Sequence, residues 1–311
     1  MVNRHPNVAE ETRAKVLRAI RQLDYRPNQA ATMLATGRSY MLQLIMFDIR
    51  YNDPLPAMIY RAKQMGFTLV ISEITPFTSR DETRERLEEL ASRMIDGLII
   101  FSPYAFLPYS ELTELCKGMP FVLVGSQMGM KAPSVVFDQR HGAELAIQHL
   151  LDLGHRHIAE IRGPQEHIDA RARHEAFVNM LEAQGLTPGP SAEGDFEVPS
   201  GYAATKSLLA SGIPFTALFA SNDRMAVGAL HALREHGLSV PDDVSLVGFD
   251  DMTEAAYLNP SLTTVRQDLD LIAQHSIEYV VSMIDNPKMP MHQRVLYPEL
   301  IIRNSTRQIA S

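Results

Sequence analysis

NVAEETRAKVLRAIRQLDYRPNQAATMLATGRS, residues 7–39, sets a helix that can stand by itself beside one that cannot. Val16, Leu17, Ile20 and Leu23 share one face at helical spacing, Arg13, Lys15, Arg18 and Arg21 occupy the rest, and Glu10 and Glu11 sit at the positive amino end. Pro27 ends this helix by forcing Arg26 out of helical geometry. Asn28 can cap a new start, and Gln29 to Thr36 is helix-permissive until Gly37 stops it. So short a helix does not recover the cost of its own nucleation in water, so it orders only against a partner. Residues 1–40 carry seven Lys and Arg against three acids, a net of +4 in a chain whose total is −8. A basic cap on an acidic body suits phosphate contact at one end, though a solvated basic helix face would look the same. It excludes a protein that coats nucleic acid over its whole surface.

From Met41 onward, short apolar runs alternate with amphipathic helices, the pattern of parallel sheets covered on both faces, so the fold class is α/β. Strands are expected at Leu42–Phe47, Phe67–Ile71, Gly97–Phe101, Phe121–Val124 and Val135–Phe137 in a first lobe. A second lobe is expected from Ile158–Ile161, Ala217–Ala220 and Val244–Gly248, with Arg294–Ile302 as a late returning strand. Helices are expected near Pro54–Met65, Asp81–Met94, Gly142–Leu153, Asp169–Gln184, Ser200–Ala210, Asp223–His236 and Asp268–Ile284, with Ser79 and Glu82 as a capping box. The single cysteine, Cys116, excludes a disulfide framework and fits a reducing cytosol. With no apolar run of membrane-spanning length and no apolar amino-terminal core, the expectation is a cytoplasmic protein without a membrane span.

Tyr25-Arg26-Pro27-Asn28, preceded by Val8-Ala9-Glu10-Glu11-Thr12-Arg13 and followed by Ala31-Thr32-Met33-Leu34-Ala35, resembles the headpiece corner and hinge of the lactose-repressor-like (LacI/GalR) family. Asp96-Gly97-Leu98-Ile99-Ile100, Leu153-Gly154-His155-Arg156-His157-Ile158, Ser221-Asn222-Asp223, Val247-Gly248-Phe249-Asp250-Asp251 and Pro260 to Gln267 look like core motifs of the same family. The resemblance implies a partial all-α DNA-binding headpiece on a periplasmic-binding-protein-like core of two doubly wound lobes hinged about a cleft. It divides the chain into a headpiece remnant at 1–27, a hinge helix and linker at 28–40, and a core at 41–311. The first lobe would span 41–153 and 268–291 and the second 154–267 and 292–311, with crossings near Gly154, Gln267 and Met291. Met1-Val2-Asn3 looks like the end of a groove-reading helix, so the family's headpiece is expected to be truncated here. By the same resemblance DNA contact falls to Asn3, Asn7, Tyr25, Asn28, Ala31, Leu34 and Ala35, with Leu34 at the position that wedges into a base step.

The resemblance also implies an effector site at the carboxyl ends of the strands. Arg173 matches the family's effector-binding arginine, and its guanidinium fork suits paired hydroxyls or a carboxylate. Asn222 offers a donor and an acceptor, Asp250 two acceptor oxygens, Gln267 lies at a crossing, and Phe196 and Phe101 could stack on or line the cleft. Each has a plainer reading: Asn222 or Asp223 as a helix cap, Asp250 as a turn residue, both phenylalanines as core, and Arg171 as a surface ion pair. His155 and His157 have no third ligand nearby in sequence, and Asp242-Asp243 and Asp251 read as solvated or capping. No catalytic motif is present and no cofactor is implied. The function implied is a ligand-responsive transcriptional regulator of repressor type, binding operator DNA as a homodimer and a sugar or sugar phosphate as effector, not an enzyme. The alternative is a stand-alone cytosolic sugar-binding module without specific DNA binding.

Overall fold

The structure, a computed structural model, describes residues 10–22, 37–47, 54–74, 80–91, 94–101, 108–116 and 118–309. The hinge-helix segment, Ser79 of the expected capping box, and all seven positions assigned to DNA lie outside the described residues. Helix α1 (Glu10–Gln22) forms where the amphipathic pattern places it, with Val16 and Ile20 half-buried.

Two six-stranded sheets make up the rest. The first contains β1 (Met41–Met46), β2 (Thr68–Glu73), β3 (Gly97–Phe101), β4 (Phe121–Val124), β5 (Ser134–Phe137) and β11 (Gln293–Leu296), in the order β11-β5-β4-β3-β1-β2. The second contains β6 (Ile158–Arg162), β7 (Ser191–Glu193), β8 (Ala217–Ala220), β9 (Ser245–Asp250), β10 (Thr263–Arg266) and β12 (Glu299–Ile301), in the order β12-β10-β9-β8-β6-β7. All pairings are parallel except β10 with β12. In both sheets the opening strand lies next to one edge, with the second strand outside it and the later strands on its other side, the order that leaves a crevice at the carboxyl ends where successive connections diverge to opposite faces.

Helices cover both faces of each sheet. In the first lobe these are α2 (Leu55–Gln64), α3 (Arg80–Ala91), α4 (Tyr109–Leu115) and α9 (Leu269–Asp285). In the second they are α5 (Gln139–Asp152), α6 (Ile168–Ala183), α7 (Val198–Ala210) and α8 (Asp223–Glu235). Alternation along a strand feeds two cores at once: Leu44 and Met46 pack with Met58 and Val280, while Ile45 between them packs with Leu87 and Leu112. Among the described residues no helix is long and apolar enough to cross a membrane.

The crossings differ from those expected. Helix α5 packs on α6, β10 and β12, so the chain has already changed lobes at Asp138, whose carboxylate caps α5 by accepting from the His141 amide at 2.9 Å. Gly154, with φ of 90°, only ends that helix; a breaker in sequence marks a turn and says nothing of which sheet the helix covers. Strand β10 belongs to the second sheet and α9 packs on the first, so the chain changes lobes between Arg266 and Leu269. The third lies at Tyr297-Pro298, not near Met291. The single strand expected over Arg294–Ile302 is two, β11 beside β5 and β12 antiparallel to β10. Strand β10 escapes hydropathy because Thr263 and Thr264 are fully buried with their hydroxyls bonded, Thr264 to Asp223 at 2.5 Å.

Candidate functional site

A cavity of about 120 Å³ lies between the lobes at the carboxyl ends of both sheets, and Arg173, Asn222, Asp250, Gln267, Phe196 and Phe101 all line it. The first lobe contributes Pro54, Phe101, Gly125 and Phe137, and α9 adds Leu269 and Ile272. The second contributes Gln139, His167, Asp169, Arg173, Phe196, Asn222, Asp250 and Gln267.

The polar groups form a closed ring. Arg173, buried in α6, donates from Nε to Gln139 Oε1 at 3.0 Å, and Gln139 Nε2 donates to Gln267 Oε1 at 2.8 Å. Gln267 Nε2 donates to Asp250 Oδ1 at 2.8 Å, and that oxygen lies 3.6 Å from Arg173 Nη2. Nη1 of Arg173 also donates to the Ser221 carbonyl, and the guanidinium stacks 3.7 Å from the Phe249 ring centroid. Burial lowers the Arg173 pKa, while Asp250, Asp169 and Asp223 oppose the shift by favouring its charge. Gln139 and Gln267 each stand at a lobe crossing, so the ring ties the hinge to the cavity wall. Asp250 holds a φ of 111° and Phe196 one of 69°, strained values for residues with a Cβ, and both border the cavity.

The plainer readings account for part of each remaining residue. Asn222 caps α8, accepting from the Met225 amide at 2.9 Å, while its Nδ2 donates to the Phe196 carbonyl at 2.9 Å. Phe196 is both core and cavity wall, with its ring edge-on to His167 at 5.0 Å. Asp251 is structural, held by Arg266 at 2.7 Å and Arg303 at 2.6 Å. Asp243 accepts from the Ser239 amide at 2.7 Å, and Asp242 lies 3.4 Å from Arg307. Arg171 braces the preceding loop by donating to the Gln165 carbonyl at 2.8 Å, rather than forming an ion pair. His155 is buried between Thr216 and Ser245, whereas His157 is exposed; among the described residues no cluster could hold a metal. Cys116 is buried and its thiol is pushed up to about 12 by that burial.

Sequence reasoning missed Gln139, His167 and Asp169 as cavity residues, and the state of Asp223. Asp169 had a readable signal, standing one helical turn before Arg173 on the same face. Burial pushes its carboxyl up to about 6, with Arg173 opposing and Asp250 reinforcing the shift. Asp223 is pushed up to about 8, first by burial and then by Asp250, although it accepts from Thr264 and from the Met252 amide.

Residues 147–306 match the family model described as a periplasmic binding protein-like domain. The ribose operon repressor of Halalkalibacterium halodurans is 30% identical, over 99% of this chain and 92% of that protein. Of solved structures, the lac repressor dimer bound to operator and the anti-inducer ONPF superposes with a TM-score of 0.88 at 29% identity, over 98% of this chain and 93% of that one. The complex of the transcriptional regulator CelR with cellobiose gives a TM-score of 0.76 at 28% identity, over the same shares.

Proposed function

The chain belongs to the LacI family of transcriptional regulators, and we propose that its cleft binds a sugar or a small molecule of similar polarity, and that occupancy sets how a homodimer of the chain holds operator DNA as a repressor. The observation that carries this reading is the ring of Arg173, Gln139, Gln267 and Asp250, because two of its members stand at lobe crossings and the other two face the cavity. A polyol exchanging hydrogen bonds with Arg173 and Asp250 perturbs Gln139 and Gln267, and so the angle between the lobes. The bearing of that angle on DNA follows if the lobe nearer the opening stretch moves with it. The apolar wall of the first lobe suits the carbon face of a sugar, and the relatives named for ribose, lac and cellobiose supply the class of ligand.

Calorimetry over ribose, galactose, lactose and cellobiose tests the first half. Arg173→Ala is expected to weaken the best binder by about 100-fold, the scale of losing bonds to a buried charge, and Asp250→Asn, which keeps the shape, by about tenfold. Equal affinity in all three proteins means the cleft is not the site. Operator sequences selected from random DNA, followed by mobility shifts with and without the bound sugar, test the second half. A sugar that binds yet leaves DNA retention unchanged favours the binding module without regulation.

A further inference from the structure

Asp169 stands apart from the ring and from Asn222. Arg173, Gln139, Gln267 and Asp250 are engaged in the ring and Asn222 is engaged at both ends of its amide. Among the described residues no hydrogen bond or ion pair reaches the Asp169 carboxylate, although it lines the cavity on the same helix face as Arg173. A carboxylate facing a cavity with nothing to accept from is an acceptor held ready for a ligand donor.

We propose that Asp169 accepts a hydrogen bond from the ligand and makes this cleft select uncharged or aminated polyols over phosphorylated or carboxylated ones; the proposal rests on the ligand role given to the cleft above. The charge balance decides the sign. Facing Asp169 are Arg173 on its own helix, Asp250 at the end of β9, and His167 just before α6, with Asp223 beyond Asp250. Among the described residues the first lobe and α9 present Pro54, Gly125 and apolar side chains there. Among the described residues an anion therefore meets two carboxylates against one guanidinium, and three of the five N–H groups of that guanidinium are already directed at Gln139, Ser221 and Asp250. Among the described residues of the outer cleft, Arg224 is paired with Glu197 and Arg266 with Asp251. Hydroxyl and ammonium donors meet the opposite situation, with an unsatisfied acceptor in a partly desolvated wall.

Ionisation of Asp169 is then linked to binding. With its carboxyl at about 6, it accepts freely at pH 8 and is mostly protonated at pH 5.

The test is calorimetry on the full chain with ribose, galactose, cellobiose and glucosamine, and with ribose 5-phosphate and galactose 6-phosphate, at pH 5 and pH 8. The tightest binder is expected to be neutral or aminated, and its phosphate ester at least tenfold weaker. Affinity for the neutral binder should fall by about tenfold from pH 8 to pH 5, following the fraction of Asp169 that stays ionised. Asp169→Asn should flatten that pH profile and narrow the discrimination against the phosphate ester, and Asp169→Ser should do the same with a smaller side chain. A phosphate ester that outbinds its parent sugar, or an Asp169→Asn protein with the parent's affinities and pH profile, overturns the inference while leaving the sugar site intact. A panel on which every sugar fails in parent and Arg173→Ala alike overturns the underlying reading of the cleft instead.

Discussion

At the third residue of its opening strand the first lobe carries Gln43 and the second carries Glu160, both fully buried, in two sheets of one topology. Gln43 donates to the Val70 carbonyl on the neighbouring strand at 3.2 Å. Glu160 accepts from Ser191 on its neighbouring strand at 3.0 Å and lies 2.7 Å from Nδ1 of His174 on α6. One lobe meets the same topological demand with a neutral amide and the other with an ionisable group. Among the described residues the cavity repeats the division, with Gly125 and apolar side chains from the first lobe and the charged ones from the second. The lesson is that a repeated fold need not repeat its chemistry: on the proposed reading, one half would read the ligand and the other would supply a surface to close on it.

The largest expected effect tests whether the reading half is also the stiffer one. In the second lobe α7 meets α8 through backbone, and a Cβ at Gly201 would stand 2.3 Å from the Met225 carbonyl oxygen and 2.5 Å from its Cα. In the first lobe a Cβ at Gly97 would meet side-chain carbons first, Val280 Cγ2 at 2.8 Å and Ile284 Cδ1 at 3.1 Å. Backbone cannot step aside as a side-chain tip can. Gly201→Ala should cost about 2 kcal/mol net, an overpacking penalty near 3 kcal/mol offset by about 1 kcal/mol of helix propensity. Gly97→Ala should cost about 1 kcal/mol. Urea unfolding of both variants measures the difference, and equal costs would break the contrast in stiffness.

What was legible in the sequence follows the same division. Strands such as Phe121–Val124 and Ala217–Ala220 are buried on both faces and appear as unbroken apolar runs. The cavity positions at strand ends were legible through the motifs that carry them, since Asn222 stands two residues after an apolar run and Asp250 ends one. Gln139 was not legible, because nothing local distinguishes the first residue of a helix that has just changed lobes from any other polar helix start. Strands β7 and β10 were hidden by polar residues, whose burial or pairing depends on partners far along the chain, such as Glu160 with Ser191. The opening basic stretch was the richest in sequence signals, yet its assigned contacts lie outside the described residues.

A smaller effect sharpens the contrast in ionisable groups. The hydrogen bond to Glu160 raises the His174 pKa above its ordinary 6.5, with burial opposing it. A raised folded-state value means that the bond's contribution is complete below pH 6.5 and is lost as pH rises through the folded pKa. His149 and His155 are shifted the other way by burial, so their contributions are present above 6.5 and are lost as pH falls. All three belong to the second lobe, and their opposing signs mean that only a difference measurement separates them. The melting temperature of the parent relative to His174→Gln should be higher by about 2 °C at pH 6 and converge with it near pH 8. A constant gap across that range would show that the Glu160–His174 pair does not titrate as placed.

The smallest effect lies at the opposite end of the first lobe, where that lobe does carry charge. Asp96, at the amino end of β3, accepts through Oδ1 from the Ser39 amide at 2.7 Å and the Ser39 hydroxyl at 2.8 Å, and through Oδ2 from the Tyr40 amide at 2.8 Å. Arg38 adds an ion pair with Asp285 at the end of α9, 2.9 Å long and largely exposed, which contributes little. Thus one carboxylate of the first lobe clamps the segment leading back to the opening stretch, while Asp169 and Asp250 of the second lobe line the cavity. If the lobes divide reading from transmission in this way, removing the clamp should uncouple the linker without disturbing the cleft. In Asp96→Ala three bonds to a charged acceptor go, while the Thr68 amide still donates to the Tyr40 carbonyl at 2.8 Å and the Tyr40 ring still packs on Phe67. Losing about 2 kcal/mol of local restraint should speed amide exchange at Ser39 and Tyr40 by about 30-fold. Because the lost bonds lie at the edge of the lobe and open no core, the global unfolding free energy should move by less than about 0.5 kcal/mol, and sugar affinity should stay at the parent's value. Exchange that stays protected would show the linker to be held by Tyr40 packing instead. A fall in sugar affinity would show that the two ends of the first lobe are not separable, and the division between a reading lobe and a transmitting lobe would fail with it.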